Sequence, residues 1–281
     1  PSTAVKTNTR LTCAATASDD DGGSPSIDYA WKNVTSSTAL GTTATLLLTN
    51  TTASPDDEIE CSVTASDIHG GSATSSVRVT VENSVPVITD VTVTPDTGVT
   101  TDTVLSCSAT ATDIDGGTPS FTYEWIKNST TSLGSGAGLT LDPANVSPGD
   151  NVACKATATD ADSGTDSATR VVTIINTPPV ITSAATITPA TGITTISGLR
   201  CDATATDADD ATAPVPTYEW FNGTTSIGDK QILTLTTTLA QPDDIIKCVA
   251  TATDADGTSV TSEDTVTVEN TGPNITSVTI D

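Results

Sequence analysis

The spacing of cysteine and tryptophan constrains the fold of this chain more than any other feature of its sequence. Both residue types recur with a period of about 94 residues, and a fixed period of this kind indicates repeated structural units. The first cysteines of the three units are Cys13, Cys107 and Cys201, the second cysteines are Cys61, Cys154 and Cys248, and the tryptophans are Trp31, Trp125 and Trp220. The 281 residues are therefore predicted to form three copies of one small domain.

The predicted domain boundaries follow this period. Residues 1–83 form repeat 1, which lacks a first strand of its own, residues 84–176 form repeat 2, and residues 177–270 form repeat 3. Residues 271–281 are predicted to be a linker followed by the first strand of a further repeat or of a neighbouring subunit.

Hydrophobic periodicity predicts an all-β fold. Apolar residues alternate with polar ones over residues 9–18, which is the pattern of a half-buried strand, and the same alternation precedes and follows each second cysteine. In repeat 1 the alternating residues are Leu11, Cys13, Ala15 and Ala17, then Ile27, Tyr29 and Trp31, then Ile59, Cys61, Val63 and Ala65, and finally Val77, Val79 and Val81. Because about seven short strands separated by turns typify a β-sandwich, each repeat is predicted to be one.

Each repeat contains two cysteines, which are predicted to pair with each other. Separations of 48, 47 and 47 residues leave no cysteine over, which predicts one disulfide per domain in an oxidising, extracellular compartment. A domain this small buries only a modest core, so a covalent link contributes usefully to its stability. The short cysteine spacings of a zinc site do not occur.

Together these features resemble the immunoglobulin fold, with a tryptophan 18 or 19 residues after the first cysteine. The chain departs from antibody domains at Ile59, Val152 and Ile246, where those domains carry a tyrosine. Its Asp/Gly turns and the Asn-x-x-Pro linkers that begin at Asn83, Asn176 and Asn270 are similar to tandem immunoglobulin-like, PKD-like or cadherin-like repeats of large prokaryotic surface proteins. That resemblance implies a cell-surface location and a structural or adhesive role.

The net charge of −25 argues against nucleic acid and anionic membranes as partners and favours cations. No run of 18 apolar residues occurs, so no membrane insertion by this segment is predicted. Two acidic turns per repeat are predicted to meet at one end of each sandwich, near the linker, where carboxylates and carbonyls could bind Ca2+. The alternative is that Asp and Gly serve there only as turn formers. The candidate metal ligands are Asp19, Asp21, Asp67, Glu82, Asp113, Asp115, Asp160, Asp162, Asp207, Asp209, Asp254 and Asp256.

Nothing in the sequence predicts an enzyme. The sole histidine, His69, stands where the other repeats carry Asp162 and Asp256, which indicates a weakened first-repeat metal site rather than a catalytic base. The tryptophans are predicted to pack against the disulfides. Six Asn-x-Ser/Thr sequons are candidate glycosylation sites, namely Asn33, Asn50, Asn128, Asn145, Asn222 and Asn274.

The last residues of the chain repeat a pattern found inside it. Apolar segments at 87–94 and 180–188 precede repeats 2 and 3 and are predicted to be their first strands, and Ile275, Val278 and Ile280 continue this pattern. Two alternatives fit: a longer covalent array, or donation of this strand to the first repeat of a neighbouring copy. The predicted function is an extracellular structural protein that forms a rod or a head-to-tail filament with itself on a microbial surface. The alternatives are the stalk or the glycan- or protein-binding region of a larger adhesin, and an accessory region of a secreted hydrolase.

Overall fold

The computed structural model describes residues 4–280, and every regular element in that range is a β-strand. The chain divides into two compact units. The first contains the described residues up to Asp96, with Ser106–Leu139 and Ala153–Val171, and the second contains Thr97–Leu105, Thr140–Val152 and the described residues from Val172. The division passes through repeat 2, so the domain boundaries drawn from the sequence remain a prediction.

The strands follow the sequence repeat. Those of repeat 1 are β1 (Arg10–Thr12), β2 (Ser26–Asn33), β3 (Thr38–Gly41), β4 (Thr45–Leu47), β5 (Glu58–Ser66) and β6 (Ser72–Thr80). Those of repeat 2 are β7 (Val87–Thr94), β8 (Val104–Thr112), β9 (Ser120–Lys127), β10 (Thr131–Ser135), β11 (Gly138–Thr140), β12 (Asn151–Thr159) and β13 (Thr165–Thr173). Those of repeat 3 are β14 (Val180–Thr188), β15 (Gly198–Thr206), β16 (Thr217–Asn222), β17 (Thr225–Gly228), β18 (Ile232–Thr234), β19 (Ile245–Thr253) and β20 (Ser259–Thr267).

Each repeat has one smaller and one four-stranded sheet. The four-stranded sheets have the orders β3-β2-β5-β6, β10-β9-β12-β13 and β17-β16-β19-β20. The smaller sheets have the orders β1-β4, β11-β8-β7 and β14-β15-β18. This is the predicted arrangement of tandem immunoglobulin-like sandwiches, and it confirms the all-β fold class.

A disulfide and a tryptophan form the centre of each core. The bridges Cys13–Cys61, Cys107–Cys154 and Cys201–Cys248 confirm the predicted pairing. Trp125 and Trp220 are completely buried and Trp31 almost so. Each indole N–H donates to a backbone carbonyl, for example from Trp220 to Lys230 O at 2.8 Å, because a buried indole N–H needs an acceptor. The predicted core position of the tryptophans is confirmed.

Repeat 1 departs from the predicted strands. The strand predicted over residues 9–18 is reduced to Arg10–Thr12, and Val77, predicted to face the core, is 62% exposed. In repeats 2 and 3 the strands β7 and β14 pair along β8 and β15, each nine residues long. No described segment pairs in this way with β1, so its C-terminal continuation has no ladder partner and the edge of β6 stays uncovered.

Candidate functional site: acidic turns and an open strand edge

The acidic turns are first of all built by local hydrogen bonds. The Asp160 Oδ1 atom accepts the backbone N–H groups of Asp162 at 2.9 Å and Gly164 at 2.7 Å. The Asp113 Oδ1 atom accepts the Asp115 N–H at 2.9 Å. These are the side-chain-to-backbone bonds that make Asp a turn former, and they leave the second oxygen of Asp160 free to bind another group.

At the first linker, the carboxylates of Asp160 and Asp115 each accept hydrogen bonds from a residue between repeats 1 and 2. The Asn83 Nδ2 group donates to Asp160 Oδ2 at 3.0 Å. The backbone N–H of Ser84 donates to Asp115 Oδ2 at 2.5 Å, and the Ser84 hydroxyl lies 3.4 Å from Asp115 Oδ1. Because an ionised acceptor strengthens a hydrogen bond, the two carboxylates together fix the linker. All four residues lie in the first compact unit.

The second linker repeats this chemistry within the second compact unit. The Asn176 Nδ2 group donates to Asp254 Oδ2 at 2.9 Å. The N–H and the hydroxyl of Thr177 donate to Asp209 Oδ2 at 2.5 and 2.6 Å, and the Thr101 hydroxyl donates to Asp209 Oδ1 at 2.5 Å. Asp209 is buried, so its charge depends on these three donors.

The pKa values of Asp113 and Asp256 are raised by burial and in part because other carboxylates lie nearby. Burial raises the pKa of Asp113, and the neighbouring charges of Asp115, Asp160 and Asp162 raise it further. Burial likewise raises the pKa of Asp256, with the charges of Asp254, Asp210, Asp209 and Asp207 adding to the effect. In repeat 3 a hydrogen bond also joins the two acidic turns, from the Ala255 N–H to Asp210 Oδ2 at 3.0 Å. The role of these acids as metal ligands stays a prediction.

The carboxylates that hold the linkers shift in the opposite direction. Burial raises the pKa of Asp160, but hydrogen bonds from Asn83 and the turn backbone outweigh it, so the net pKa lies below the ordinary value. For Asp209, burial is likewise outweighed by the donors Thr101 and Thr177. The Asn176 side chain is the main cause of the lowered pKa of Asp254. Each of these groups favours its ionised form.

The predicted metal ligands do not form a ready-made site. Within residues 4–280, no three His, Cys, Asp or Glu side chains are grouped closely enough to hold a metal ion. The Glu82 side chain is exposed, and its backbone N–H donates to Val5 O at 2.7 Å. The Oδ1 atoms of Asn83 and Asn176 and the Oδ2 atom of Asp207 are nevertheless buried without a hydrogen-bond partner.

The linker donors are the functional residues that sequence reasoning missed. It left open whether the carboxylates bind a cation or only form the turns, and it did not predict that linker residues donate hydrogen bonds to them. The donors are Asn83, Ser84, Asn176 and Thr177. The recurring Asn-x-x-Pro linker was the signal, because its Asn stands at the same phase of each repeat.

Repeat 1 carries an open groove where the other repeats hold their first strand. One cleft of about 300 Å³ is lined by Leu11, Trp31, Ile59, Val77 and Val79 among others. A second cleft of about 300 Å³ is lined by residues that include Ala15, Ala17 and Ile27. A third, of about 200 Å³, shares Cys13 and Val77 with the first and Ala15 with the second. These clefts form the repeat-1 groove, which runs between β1 with its continuation and β6.

The C-terminal segment 274–280 exposes apolar side chains, whereas the repeat-1 groove is an open apolar cleft. Ile275, Val278 and Ile280 are 78%, 80% and 97% exposed, and none of residues 274–280 is in a strand. The predicted inter-subunit strand is thus an apolar segment without a described partner.

The structure argues against glycosylation at two of the predicted sites. Asn33 is buried, and its Nδ2 group donates to Thr52 O at 3.2 Å and to Asp57 Oδ2 at 2.7 Å. Asn222 makes the equivalent bonds to Leu239 O and Asp244 Oδ2. A glycan replaces one of the two hydrogens on this nitrogen, so attachment would remove one of the two bonds and place a sugar at a site that is enclosed by protein. The remaining candidates are exposed and stay predictions, namely Asn50, Asn128, Asn145 and Asn274.

Within the described residues, no helix has the length and apolarity needed to cross a membrane. No protein-family model matches the chain, and no curated protein matches it.

Solved structures with similar folds include a Ca2+-stabilised adhesin that helps an Antarctic bacterium reach out and bind ice, at 17% identity and a TM-score of 0.37 over 88% of this chain and 65% of that one. A 1.5-MDa bacterial ice-binding adhesin has 16% identity and a TM-score of 0.36, over 88% of this chain and 87% of that one. Protocadherin Gamma B2 extracellular cadherin domains 1–5 have 16% identity and a TM-score of 0.32, over 88% of this chain and 53% of theirs.

This chain therefore spans less than two thirds of the first and third of these structures. The similarities assign no function to it. Its own strands, disulfides and sheet orders define the class, which is a tandem array of disulfide-bonded immunoglobulin-like sandwiches.

Proposed function

We propose that this chain is an extracellular structural protein whose copies join head to tail, with the C-terminal segment of one copy completing the repeat-1 groove of the next. The observation that carries the proposal is a residue-by-residue match. Counting from the linker asparagines Asn83 and Asn270, the apolar residues Ile88, Val91 and Val93 of β7 correspond to Ile275, Val278 and Ile280. Val91 and Val93 are buried where β7 lies on its own repeat.

The internal strands also supply the expected register. In repeat 2, Val93 pairs with Cys107, Val91 with Ala109, and Ile88 with Ala111. The same register on repeat 1 sets Ile280 against Cys13, Val278 against Ala15, and Ile275 against Ala17. These acceptor positions line the repeat-1 groove, so each exposed side chain of the donated strand meets an apolar cleft.

Burial of these side chains gives the driving force. Three large aliphatic side chains at about 1.5–3 kcal/mol each amount to roughly 5–9 kcal/mol of transfer free energy before the strand is ordered. Backbone hydrogen bonds to the continuation of β1 add to it and cover an edge that would otherwise invite random pairing. Contact between unlike surfaces leaves one of each free at the ends, so it propagates into a filament unless it closes into a ring.

The charge of −25 per copy opposes association and makes it dependent on ionic strength.

The residues at the second linker fit a calcium ion in their chemistry. Asn176 Oδ1 and Asp207 Oδ2 are buried oxygens without partners. Desolvation, with the like charges around it, raises the pKa of Asp256. Oxygen atoms of this kind are the ligands that Ca2+ prefers, so we propose that Asn176 and Asp207 would contribute to binding it. When bound, the ion would neutralise the repelling carboxylates.

Electron microscopy with matched variants tests the assembly. Wild-type protein is expected to form filaments whose length grows with concentration. The variant Ile280→Asp places a charge in the donated strand and is expected to stay as single copies. The control Val215→Asp changes another highly exposed aliphatic residue, in repeat 3, and should assemble normally.

A second readout traps the contact. Thr92 and Ser108 face each other across β7 and β8, with their hydroxyls 2.7 Å apart, and Thr279 and Ala14 occupy the same phases. A Thr279→Cys/Ala14→Cys variant should form covalent ladders on non-reducing gels. Isolated wild-type copies at every concentration, without ladders, would overturn the proposal and leave the stalk or ligand-binding region of a larger adhesin as the better account.

Calcium binding has its own test. Thermal unfolding is expected to shift upward in Ca2+ but not in the same concentration of Mg2+. Asp207→Asn should reduce this shift, whereas Asp19→Asn, at the equivalent position of repeat 1, should leave most of it. Equal unfolding temperatures in calcium and chelator would overturn the calcium proposal without touching the assembly.

A further inference from the structure

The end of repeat 1 carries the same two carboxylates that fix the internal linkers. Asp67 and Asp21 stand six and eight residues after the second and first cysteines, as Asp160 and Asp115 do in repeat 2. Their turns are already formed. The Asp67 Oδ1 atom accepts the N–H groups of His69 at 2.7 Å and Gly71 at 2.9 Å, and the Asp21 N–H donates to Asp19 Oδ1 at 3.0 Å.

Repeat 1 differs in the carboxylate oxygen that does not bind the turn backbone. In repeats 2 and 3 this Oδ2 atom, of Asp160 or Asp254, accepts a hydrogen bond from a linker asparagine. Within residues 4–280, neither Asp67 Oδ2 nor the Asp21 carboxylate accepts a hydrogen bond. A polar cleft of about 480 Å³, lined by Asp19, Asp20 and Asp67 among others, lies open there. Repeat 1 therefore presents the acceptor half of a linker contact.

The donor half stands at the other end of the chain. Asn270 and Thr271 follow the last strand of repeat 3 as Asn176 and Thr177 follow that of repeat 2. Both residues are exposed, and within the described residues no hydrogen bond engages their side chains. Asn270 precedes Ile275 by five residues, as Asn83 precedes Ile88. Donors and apolar strand residues thus keep the spacing of an internal linker.

We propose that Asn270 and Thr271 of one copy donate hydrogen bonds to Asp67 and Asp21 of a second copy, which fixes the register of the donated strand. This rests on the proposed strand addition and deepens it. An apolar strand alone specifies its register weakly, because it can slide by two residues and keep the same face inward. The Asn270–Asp67 bond has one acceptor at one position, so it selects a single register and a single direction of growth.

A reciprocal exchange tests this bond. The receptor is the full chain with Ile280→Asp, which removes its own donor strand, and the probe is a labelled peptide of residues 269–281. In the peptide, Asn270→Asp sets two carboxylates together and should weaken binding by roughly 10- to 100-fold, as expected for loss of a hydrogen bond to a charged group. In the receptor, Asp67→Asn should recover most of that loss, because its amide oxygen keeps the turn while its nitrogen donates to the new carboxylate.

A peptide with Asn274→Asp carries the same extra charge at the phase of Val87, which is exposed in β7, and should bind nearly as well as the native peptide. Native binding that is unaffected by Asn270→Asp would overturn the register contact while leaving strand addition intact. An equal loss from Asn274→Asp, or no recovery with Asp67→Asn, would also overturn it. Failure of the native peptide to bind would remove the proposed strand addition and this contact together.

Discussion

Asn176 donates its side-chain amide to the carboxylate of Asp254, 78 residues further along the chain, at 2.9 Å. Asn83 and Asp160 form the same pair at 3.0 Å. A linker asparagine and the aspartate that follows β12 or β19 therefore form a recurring hydrogen-bonded pair at the start of repeats 2 and 3. The turn backbone holds one oxygen of the aspartate, and the linker takes the other.

Removal of Asp209 should destabilise the second linker more than any exposed acid of repeat 3. Asp209→Ala strands the hydroxyls of Thr101 and Thr177 and the Thr177 N–H, and unsatisfied buried donors predict a loss of about 2–4 kcal/mol. Calorimetric unfolding and hydrogen exchange at the Thr177 amide would measure it. Asp229→Ala, at an exposed position, is the control, and equal effects of both variants would contradict the role given to Asp209.

The charge on Asp256 should be a liability at neutral pH. Its pKa is raised by burial and by four neighbouring carboxylates, so the folded state holds its proton more tightly than the unfolded state. Its stabilising contribution is therefore present below the unfolded pKa and is lost as pH rises through the folded pKa. Asp256→Asn should raise the unfolding temperature at pH 7, and the gain should vanish in acid. Asp28→Asn is the exposed control, and a gain that persists unchanged into acid would refute the argument.

Asp160 and Asp254 should behave in the opposite way. Hydrogen bonds from Asn83 and Asn176 help to hold their pKa values below the ordinary range. Their contribution is present above the unfolded pKa and is lost as pH falls through the folded pKa. Asn176→Ala should therefore lower the free energy of unfolding at pH 7, and that free energy should decrease less steeply in acid than it does in the wild-type protein. Unfolding followed over a pH series would show this, and a parallel curve for the variant would speak against it.

Asn33 should be a structural residue rather than a glycan carrier. Asn33→Ala removes the bonds to Thr52 and Asp57, and the predicted loss is about 1–3 kcal/mol. Asn50→Ala, in an exposed sequon, should change stability little. After expression in a glycosylating host, mass spectrometry of the folded protein should find Asn33 and Asn222 unmodified. A glycan at Asn33 on folded protein would show this assignment to be wrong.

The disulfides should matter most in repeat 1. Closing a loop of 47 or 48 residues contributes about 4 kcal/mol in the chain-entropy account. Among the described residues, the buried cluster of repeat 1 contains 9 residues against 15 in repeat 3, so less packing remains in repeat 1 once the bridge is removed. The Cys13→Ala/Cys61→Ala variant should lose repeat 1 at 37 °C, while Cys201→Ala/Cys248→Ala should leave repeat 3 folded but weakened. Limited proteolysis distinguishes these outcomes, and equal resistance of the two repeats would contradict them.

The sequence by itself determined the three repeats, the cysteine pairing, the buried tryptophans and the phase of the first strands. These features follow from the spacing of residues along the sequence and from the alternation of side chains in a strand. Both are local properties that recur in each repeat. It also predicted that the acidic turns share one end of each sandwich, but it left open whether their carboxylates bind a cation or serve only to form the turns.

Only the tertiary structure decided which groups the turns bind. Asn83 and Asp160 are neighbours because two strands return to one end of a sandwich, and no local pattern records which oxygen the turn backbone has already taken. The same holds for the burial of Asn33 and for the shortness of β1, which depends on whether a partner strand lies beside it. A hydrogen bond or a paired strand edge needs a partner, and the partners of these linker residues lie tens of residues away in the sequence, for example 77 residues between Asn83 and Asp160.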